Sequence, residues 1–269
     1  MASSNLELVR TGYDRIAQAY DSQWTPHVKF PQHRLTLELG LKPGERVLDL
    51  ACGTGVDSVA MLERVPGGRV IAVDCSSEML AQASALAKKH GLVLETLHDS
   101  AEHAVEVAEA ASFDVISLRF ALAYLDMPSF FPTLLRPLRA GGRLGILTSL
   151  GSSLPTVRRV VDEVLGELSL PPVPVCVPMS LAHLTEALRV AGFSRATTWS
   201  HSFGVRCPNG RAAIDWLLQS GYVTHPRLES APKPMLAAFE AELARRIDRV
   251  TRGDEVVLEF DLAGVVARA

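Results

Sequence analysis

Apolar positions along the chain follow two periods, and the switching between them maps the elements. Leu6, Val9, Tyr13, Ile16 and Tyr20 recur at three- and four-residue steps, which predicts an amphipathic N-terminal helix. A second helix is predicted over Gln32–Leu39, closed near Gly40. From Arg46 onward, short apolar runs alternate with helical stretches. Strands are predicted at Arg46–Leu50, Arg69–Asp74, Val93–Leu97, Phe113–Leu118 and Arg143–Ser149. Helices are predicted between them at Val56–Arg64, Ser77–His90, around Glu102–Glu109 and near Pro128–Leu138, with Gly141-Gly142 turning the chain into the fifth strand. Val47, Leu48 and Leu50 belong to a strand with no solvent face left over, as in a parallel sheet covered on both sides. Strands and helices in this alternation imply an open, doubly wound parallel sheet of α/β class.

After Ser149 the texture changes. Val157, Val160, Val161, Val164 and Leu168 make one helix face, followed by the proline-rich PPVPVCVP at Pro171–Pro178, read as a stiff extended connection. Leu181–Ala191 predicts a helix with Gly192 behind it, Arg195–His201 a strand, and Arg211–Gln219 and Met235–Arg249 further helices. Val256, Leu258, Phe260 and Leu262 alternate with Glu259 and Asp261, the pattern of a half-exposed antiparallel strand.

Bulk properties remove several classes. A chain of 269 residues is long enough for one α/β domain with additions. A net charge of −3 without a basic stripe argues against a nucleic-acid partner. No apolar run reaches the length of a membrane span, and the polar start MASSNLELVR is unlike a signal peptide; reduced thiols in a cytoplasmic protein, a monomer or homodimer, are expected. Cys52, Cys75, Cys176 and Cys207 have neither metal-ligand nor disulfide spacing, and no metal is expected.

Candidate chemistry concentrates in VLDLACGTG, Val47 to Gly55, and in VIAVD, which ends at Asp74. Gly53 and Gly55 allow close backbone approach to a ligand, and the helix behind them directs its free N–H groups there. Asp74 follows the glycines by about twenty residues, where an acid at a strand end accepts ribose hydroxyls. Nicotinamide cofactors use the same layout. Here, however, the turn Gly53-Thr54-Gly55-Val56-Asp57-Ser58 lacks the third glycine of the dinucleotide fingerprint. Asp49 inside the strand and Asp57 in the helix's first turn would repel a pyrophosphate, but suit a ligand carrying an ammonium and a sulfonium.

D-L-A-C-G-T-G with a downstream V-D-C-S-S-E-M-L resembles the class I S-adenosylmethionine (SAM)-dependent methyltransferases, in the small-molecule branch that includes ubiquinone and menaquinone methyltransferases. The resemblance runs from about Tyr13 to Leu150. It implies a seven-stranded, mostly parallel Rossmann-like sheet with an antiparallel last strand, and SAM as cofactor. It divides the chain into an N-terminal helical lid (1–42), a SAM-binding core (43–150), and the end of the sheet with helical substrate-cover insertions (151–269).

On the same resemblance, Asp49 holds the methionine end with the turn Ala51, Cys52, Gly53, Thr54 and Gly55. Asp74 takes the ribose, Met79 and Cys75 flank the adenine, and Asp99, Ser100 and Ala101 read its edge. Leu118, Arg119 and Phe120 line the methionine end, and Tyr20 of the lid faces the cofactor. Tyr13, Tyr124, Trp199, Phe203 and Trp216 are the candidate contacts to an apolar small-molecule substrate. Relatives often carry histidine where this chain has Ala123 and Tyr124. No N/D-P-P-Y follows the fourth strand, no paired glutamates suit protein arginine, and no Asp/Asn cluster suits magnesium.

The implied activity is methyl transfer to a small, largely apolar metabolite, with oxygen (hydroxyl or enol) ahead of carbon as acceptor, in natural product biosynthesis. Quinone-type C-methylation and a non-methylating SAM-bound enzyme or regulator are the alternatives. A hydroxyl that must ionise needs a base, and the candidates are His27, His33, His201 and His225.

Overall fold

The computed structural model describes residues 2–170, 176–222, 232–252 and 255–269, with side chains from Leu6 onward. The chain divides into two compact units. A core unit takes residues 28–151, 176–201 and 262–269, and a helical unit takes residues 1–27, 152–175 and 202–261.

One seven-stranded sheet, in the order β3-β2-β1-β4-β5-β7-β6, organises the molecule. Its strands are β1 Arg46–Leu50, β2 Arg69–Asp74, β3 Glu95–His98, β4 Phe113–Arg119, β5 Leu138–Ser149, β6 Ser194–Cys207 and β7 Val256–Arg268. The pairs β1·β2, β2·β3, β1·β4 and β4·β5 are parallel, and β5·β7 is antiparallel from Arg143↔Arg268 to Ser149↔Leu262. This is the sheet that the methyltransferase resemblance implies. The helices among the described residues are α1 Ala2–Gln23, α2 Thr25–Glu38, α3 Val56–Leu62, α4 Ser77–Lys89, α5 Ala101–Val107, α6 Met127–Thr133, α7 Pro155–Glu167, α8 Leu181–Val190, α9 Gly210–Gln219 and α10 Lys233–Val250.

In the core unit both faces of the parallel strands are covered. Leu48 and Leu50 of β1, Ile116 and Leu118 of β4, and Leu144 and Ile146 of β5 pack in one buried cluster with Phe130, Phe131, Leu184 and Leu188 of α6 and α8. Alternation turns Asp49, Ser117 and Gly145 of those strands to the opposite face. There α2 sits so close that a Cβ on Gly145 would lie 2.8 Å from the Leu39 side chain. The polar residues of β1 and β4 are therefore roofed by α2 rather than open to water.

Several boundaries differ from expectation. The second helix begins at Thr25, not Gln32, and carries Pro31 inside it. The missing N–H of Pro31 costs one helical bond, offset by burial of Val28, Pro31 and Leu35 on that face. The third strand starts at Glu95, with Val93 exposed before it, and is an edge strand with no buried residue. The sixth helix stops at Thr133, and β5 begins at Leu138, before the glycine pair. Gly141 and Gly142 lie within β5, at a register shift against β4 from Phe113↔Leu138 to Val115↔Arg143. β6 extends well past His201, and β7 continues beyond its alternating stretch into a run buried on both faces, Leu262 to Val266.

The helical unit has a core of its own. Trp24 lies within about 6 Å of Phe203, Trp216, Tyr222 and Phe260, ring centre to ring centre. Phe203 stacks on Phe260 at 4.8 Å. Elsewhere α9 and α10 are joined where Gly210 N–H donates to Asp248 Oδ1 at 2.6 Å, and α10 is tied to α7 by Arg246 and Glu167 at 2.5 Å. The apolar face of α1 closes on Gly221, with Ile16, Tyr13 and Tyr20 around that glycine.

Candidate cofactor site at the strand crossover

From β1 the chain winds outward to β2 and β3, then crosses back to place β4 on the other side of β1. In open parallel sheets, ligands bind outside the carboxyl ends of the strands at this reversal. The two central strands end there together, with Leu50 of β1 beside Leu118 of β4. Ala51, just past β1, and Phe120, just past β4, both have φ of +55°. Such a backbone costs a non-glycine residue about 1–3 kcal/mol and persists only where neighbours enforce it. Cys52 N–H on Val73 O at 2.9 Å and Phe120 N–H on Leu147 O at 2.7 Å do so.

The two glycines of the turn serve different ends. At Gly53 (φ +56°) a Cβ would point into open space, so the backbone presents an uncovered face. At Gly55 (φ +79°) a Cβ would meet the Ala83 side chain at 2.5 Å and its backbone at 2.8 Å. Gly55 thus lets α3 approach α4, and the expectation that it clears a ligand's path is corrected.

Asp74 clamps this turn. Its Oδ2 accepts from Gly53 N–H at 2.8 Å and its Oδ1 from Ser76 N–H at 2.9 Å. Ser76 in turn caps α4 by accepting from Met79 N–H at 3.1 Å, and the Met79 side chain is buried. Cys75 is half-buried, and its carbonyl holds the His98 ring at 2.9 Å. Burial, then the carboxylates of Asp74 and Asp49, push the Cys52 thiol far above its usual range. It is an inert thiol at neutral pH.

Asp99 follows β3 and donates its N–H to Asp74 O at 3.1 Å. Its carboxylate accepts from Ser100 N–H at 2.8 Å and pairs with His103 at 2.5 Å, which raises the His103 pKa. Ser100 caps α5, and Ala101 is the first residue of that helix. Leu118 points into the apolar core, and Tyr124 is half-buried in the short turn Leu122–Tyr124.

The buried charges beneath the turn were only half legible. Asp49 accepts from Ser58 Oγ at 2.5 Å, and burial raises its pKa to about 6 against the pull of Arg119. Arg119 turns away from the turn: Nη1 donates to Asp57 at 2.6 Å and Gln32 O at 2.8 Å, Nη2 to Thr36 at 2.9 Å, and Nε to Ser117 at 3.1 Å. Asp57 is therefore neutralised inside the protein, which corrects the expectation that its charge faces a cationic ligand. Gln32, Thr36, Ser58 and Ser117 were missed. An arginine inside the apolar run VISLRF was the available signal, since a buried arginine needs a carboxylate.

The acceptor candidates fall in both units. His27, Phe203 and Trp216 do meet in the helical unit, with His27 stacked on Phe203 at 6.0 Å and edge-on to Trp216 at 5.5 Å. Burial lowers the His27 pKa. Tyr13 and Tyr20 pair edge to face at 6.3 Å. Trp199 lies in the core unit, covered by the Arg34 guanidinium at 4.5 Å and seated on Gly264, so packing occupies its ring. His201 neighbours Phe30 at 5.6 Å in the same unit, and His33 is exposed on α2. His225 lies outside the described residues.

The strand order and the strained crossover define a Rossmann-like domain, with Asp49 in β1 and Asp74 at the end of β2 beside the crossover. Comparison with known proteins makes this specific. Residues 47–142 match the family described as "Methyltransferase domain". The chain is 28% identical to nocamycin O-methyltransferase of Saccharothrix syringae, over 95% of this chain and 96% of that protein. It is 30% identical to 2-phytyl-1,4-naphtoquinone methyltransferase of Synechococcus elongatus, over 59% of this chain and 71% of that one. Among solved structures, the YcgJ protein of Bacillus subtilis superposes with a TM-score of 0.59 at 17% identity, covering 88% of this chain and 97% of that chain. The chain belongs to the class I SAM-dependent methyltransferases. It is an enzyme that uses SAM as cofactor, and no described helix is long and apolar enough to cross a membrane.

Proposed function

We propose that the enzyme transfers the methyl group of SAM to an oxygen of a small, largely apolar metabolite, a hydroxyl or enol, in secondary metabolism. The observation that carries this reading is the end-to-end likeness to nocamycin O-methyltransferase, which spans the helical segments as well as the sheet. Quinone-type C-methylation is the second reading, because the naphtoquinone enzyme shares 30% of aligned residues, although over a shorter stretch.

The residues present fit the cofactor. Asp74, already fixed by two backbone N–H groups, accepts the ribose hydroxyls, since a carboxylate can take more than two hydrogen bonds. Asp49 receives the amino group of the methionine end, and the open face of Gly53 lets the backbone approach it. Met79 and Cys75 flank the adenine, with Asp99, Ser100 and Ala101 at its edge. When bound, SAM supplies a methyl carbon activated for in-line displacement. The protein's task is then to exclude water, align the acceptor and remove its proton. His27, a candidate base of the helical unit, has its pKa lowered by partial burial against Phe203 and Trp216, which favours its neutral form.

The test is incubation of the enzyme with methyl-labelled SAM and a panel of phenols, enols and naphthoquinols. The product is read by carbon NMR, where a methoxy and a C-methyl carbon are well separated. Label in methoxy groups supports the reading. Label only in C-methyl groups replaces it with the quinone-type one, and no S-adenosylhomocysteine with any acceptor refutes both.

A further inference from the structure

Between α2, α3 and the β1·β4 pair lies a buried polar layer with two carboxylates and one guanidinium. Asp49 and Ser117 are register partners on adjacent strands, Asp57 and Ser58 open α3, and Gln32 and Thr36 come from α2. The guanidinium of Arg119 donates to Asp57, Ser117, Thr36 and the Gln32 carbonyl, at 2.6–3.1 Å. Asp49 is held instead by the Ser58 hydroxyl. Asp49, Asp57 and Arg119 are all at least nine-tenths buried.

We infer that Arg119 is a positioning residue for the cofactor: by neutralising Asp57 and tying it to α2, it leaves Asp49 as the carboxylate that answers the ammonium of SAM. This rests on the reading that Asp49 receives the methionine end. The layer carries one negative charge too many for a dry interior, and a ligand cation supplies the balance. Arg119 thus acts through Asp57 and not by touching the ligand.

The charged groups around the layer set the sign of the pH dependence. Asp49 faces Arg119 from β4 and Asp57 from α3, while Asp57 also feels His33 from α2. The Cys52 thiol beside Asp49 stays protonated, pushed up by burial and by Asp74 and Asp49. An ammonium binds the ionised carboxylate. Affinity is therefore full above the pKa of Asp49, near 6, and falls as pH drops through it.

Isothermal titration of S-adenosylhomocysteine, which carries the same ammonium, into the full chain from about pH 5.5 to about pH 8 tests this. Arg119→Met leaves two facing carboxylates that hold a proton to higher pH. It should weaken binding about tenfold at pH 7 and move the fall-off up by about one pH unit. Asp57→Asn does the opposite to the fall-off. The freed guanidinium turns to Asp49, so binding weakens about tenfold while the fall-off moves to lower pH. The double variant Asp57→Asn/Arg119→Met restores the charge count and should bind within about threefold of wild type.

Opposite pH shifts in the single variants, with recovery in the double, are the expected result. If Arg119→Met does not fold, the direction of the Asp57→Asn shift and the affinity of the double variant decide. A double variant no better than the singles, or an Asp57→Asn fall-off that is unmoved or moved upward, overturns the proposal and leaves Arg119 a packing residue. Asp49→Asn is the separate control. Unchanged affinity there refutes the role of Asp49 itself, whatever Arg119 does.

Discussion

The two units bury their polar and aromatic groups by different means. In the core unit, the groups at the crossover come mostly from one stretch, Asp49 to Asp74, and are set by backbone: left-handed Ala51 and Gly53, a clamp by Asp74, a close approach at Gly55. In the helical unit, Trp24, His27, Phe203, Trp216, Tyr222 and Phe260 come from segments far apart in sequence and are held by ring packing. Backbone turns and ion pairs tolerate no near substitutes. A core of aromatic rings can repack around a change of similar volume. Single substitutions should therefore be severe and specific in the first unit, graded in the second.

The largest effect is expected at Asp57. Asp57→Ala removes the carboxylate that the buried Arg119 guanidinium bonds, with Asp49 only partly replacing it, and should cost about 3–5 kcal/mol of stability in urea unfolding. A loss below about 1 kcal/mol would mean the pair is solvated, and would break the contrast at its strongest point. Gly55→Ala comes next: a left-handed backbone and the contact with Ala83 together should cost about 2–4 kcal/mol. Thermal unfolding indistinguishable from wild type would show that α3 can move off α4 freely. In the helical unit, Phe260→Leu should cost only about 1–1.5 kcal/mol and leave SAM affinity unmoved. A clear loss of SAM affinity would show that the units are not energetically separate.

The smallest expected effect is a pH term from His27. Burial lowers its pKa, so between that value and about 6.5 the unfolded chain binds more protons than the folded one. This contribution is full above about pH 6.5 and is lost as pH falls through the folded value, making the helical unit slightly less stable in mild acid. Proton NMR of the His27 ring reads the pKa directly. A value at or above the ordinary one would remove both this effect and the case for a neutral base.

The same contrast explains how much could be read from the chain alone. The crossover was legible because its residues are contiguous and each type has one physical use: apolar runs for covered strands, glycine for a left-handed turn, an acid at the end of β2. Asp57–Arg119 was not, because 62 residues separate the partners and neither period nor spacing joins them. The glycine pair at 141–142 read as the entry to β5 because glycine marks turns and strand irregularities alike, and only the pairing register places it inside the strand. Trp199 and Phe203 were grouped as acceptor contacts on chemistry alone. Their partners differ, Arg34 and Gly264 for one, Phe260 and His27 for the other, and those come from tertiary packing. The lid expected of α1 is also a tertiary matter. Amide exchange in α1 that slows when SAM is added would support it, and equal exchange with and without SAM would make α1 a permanent element.

The central claim is that the crossover between β1 and β4 holds SAM through acids fixed by the backbone. Calorimetric titration of SAM into wild type and Asp74→Ala, under identical conditions, tests it most directly. Loss of the charge-assisted bonds to the ribose, and of the clamp on Gly53, should weaken binding by about 2–4 kcal/mol, roughly thirtyfold to a thousandfold. A dissociation constant unchanged by the substitution would contradict the account.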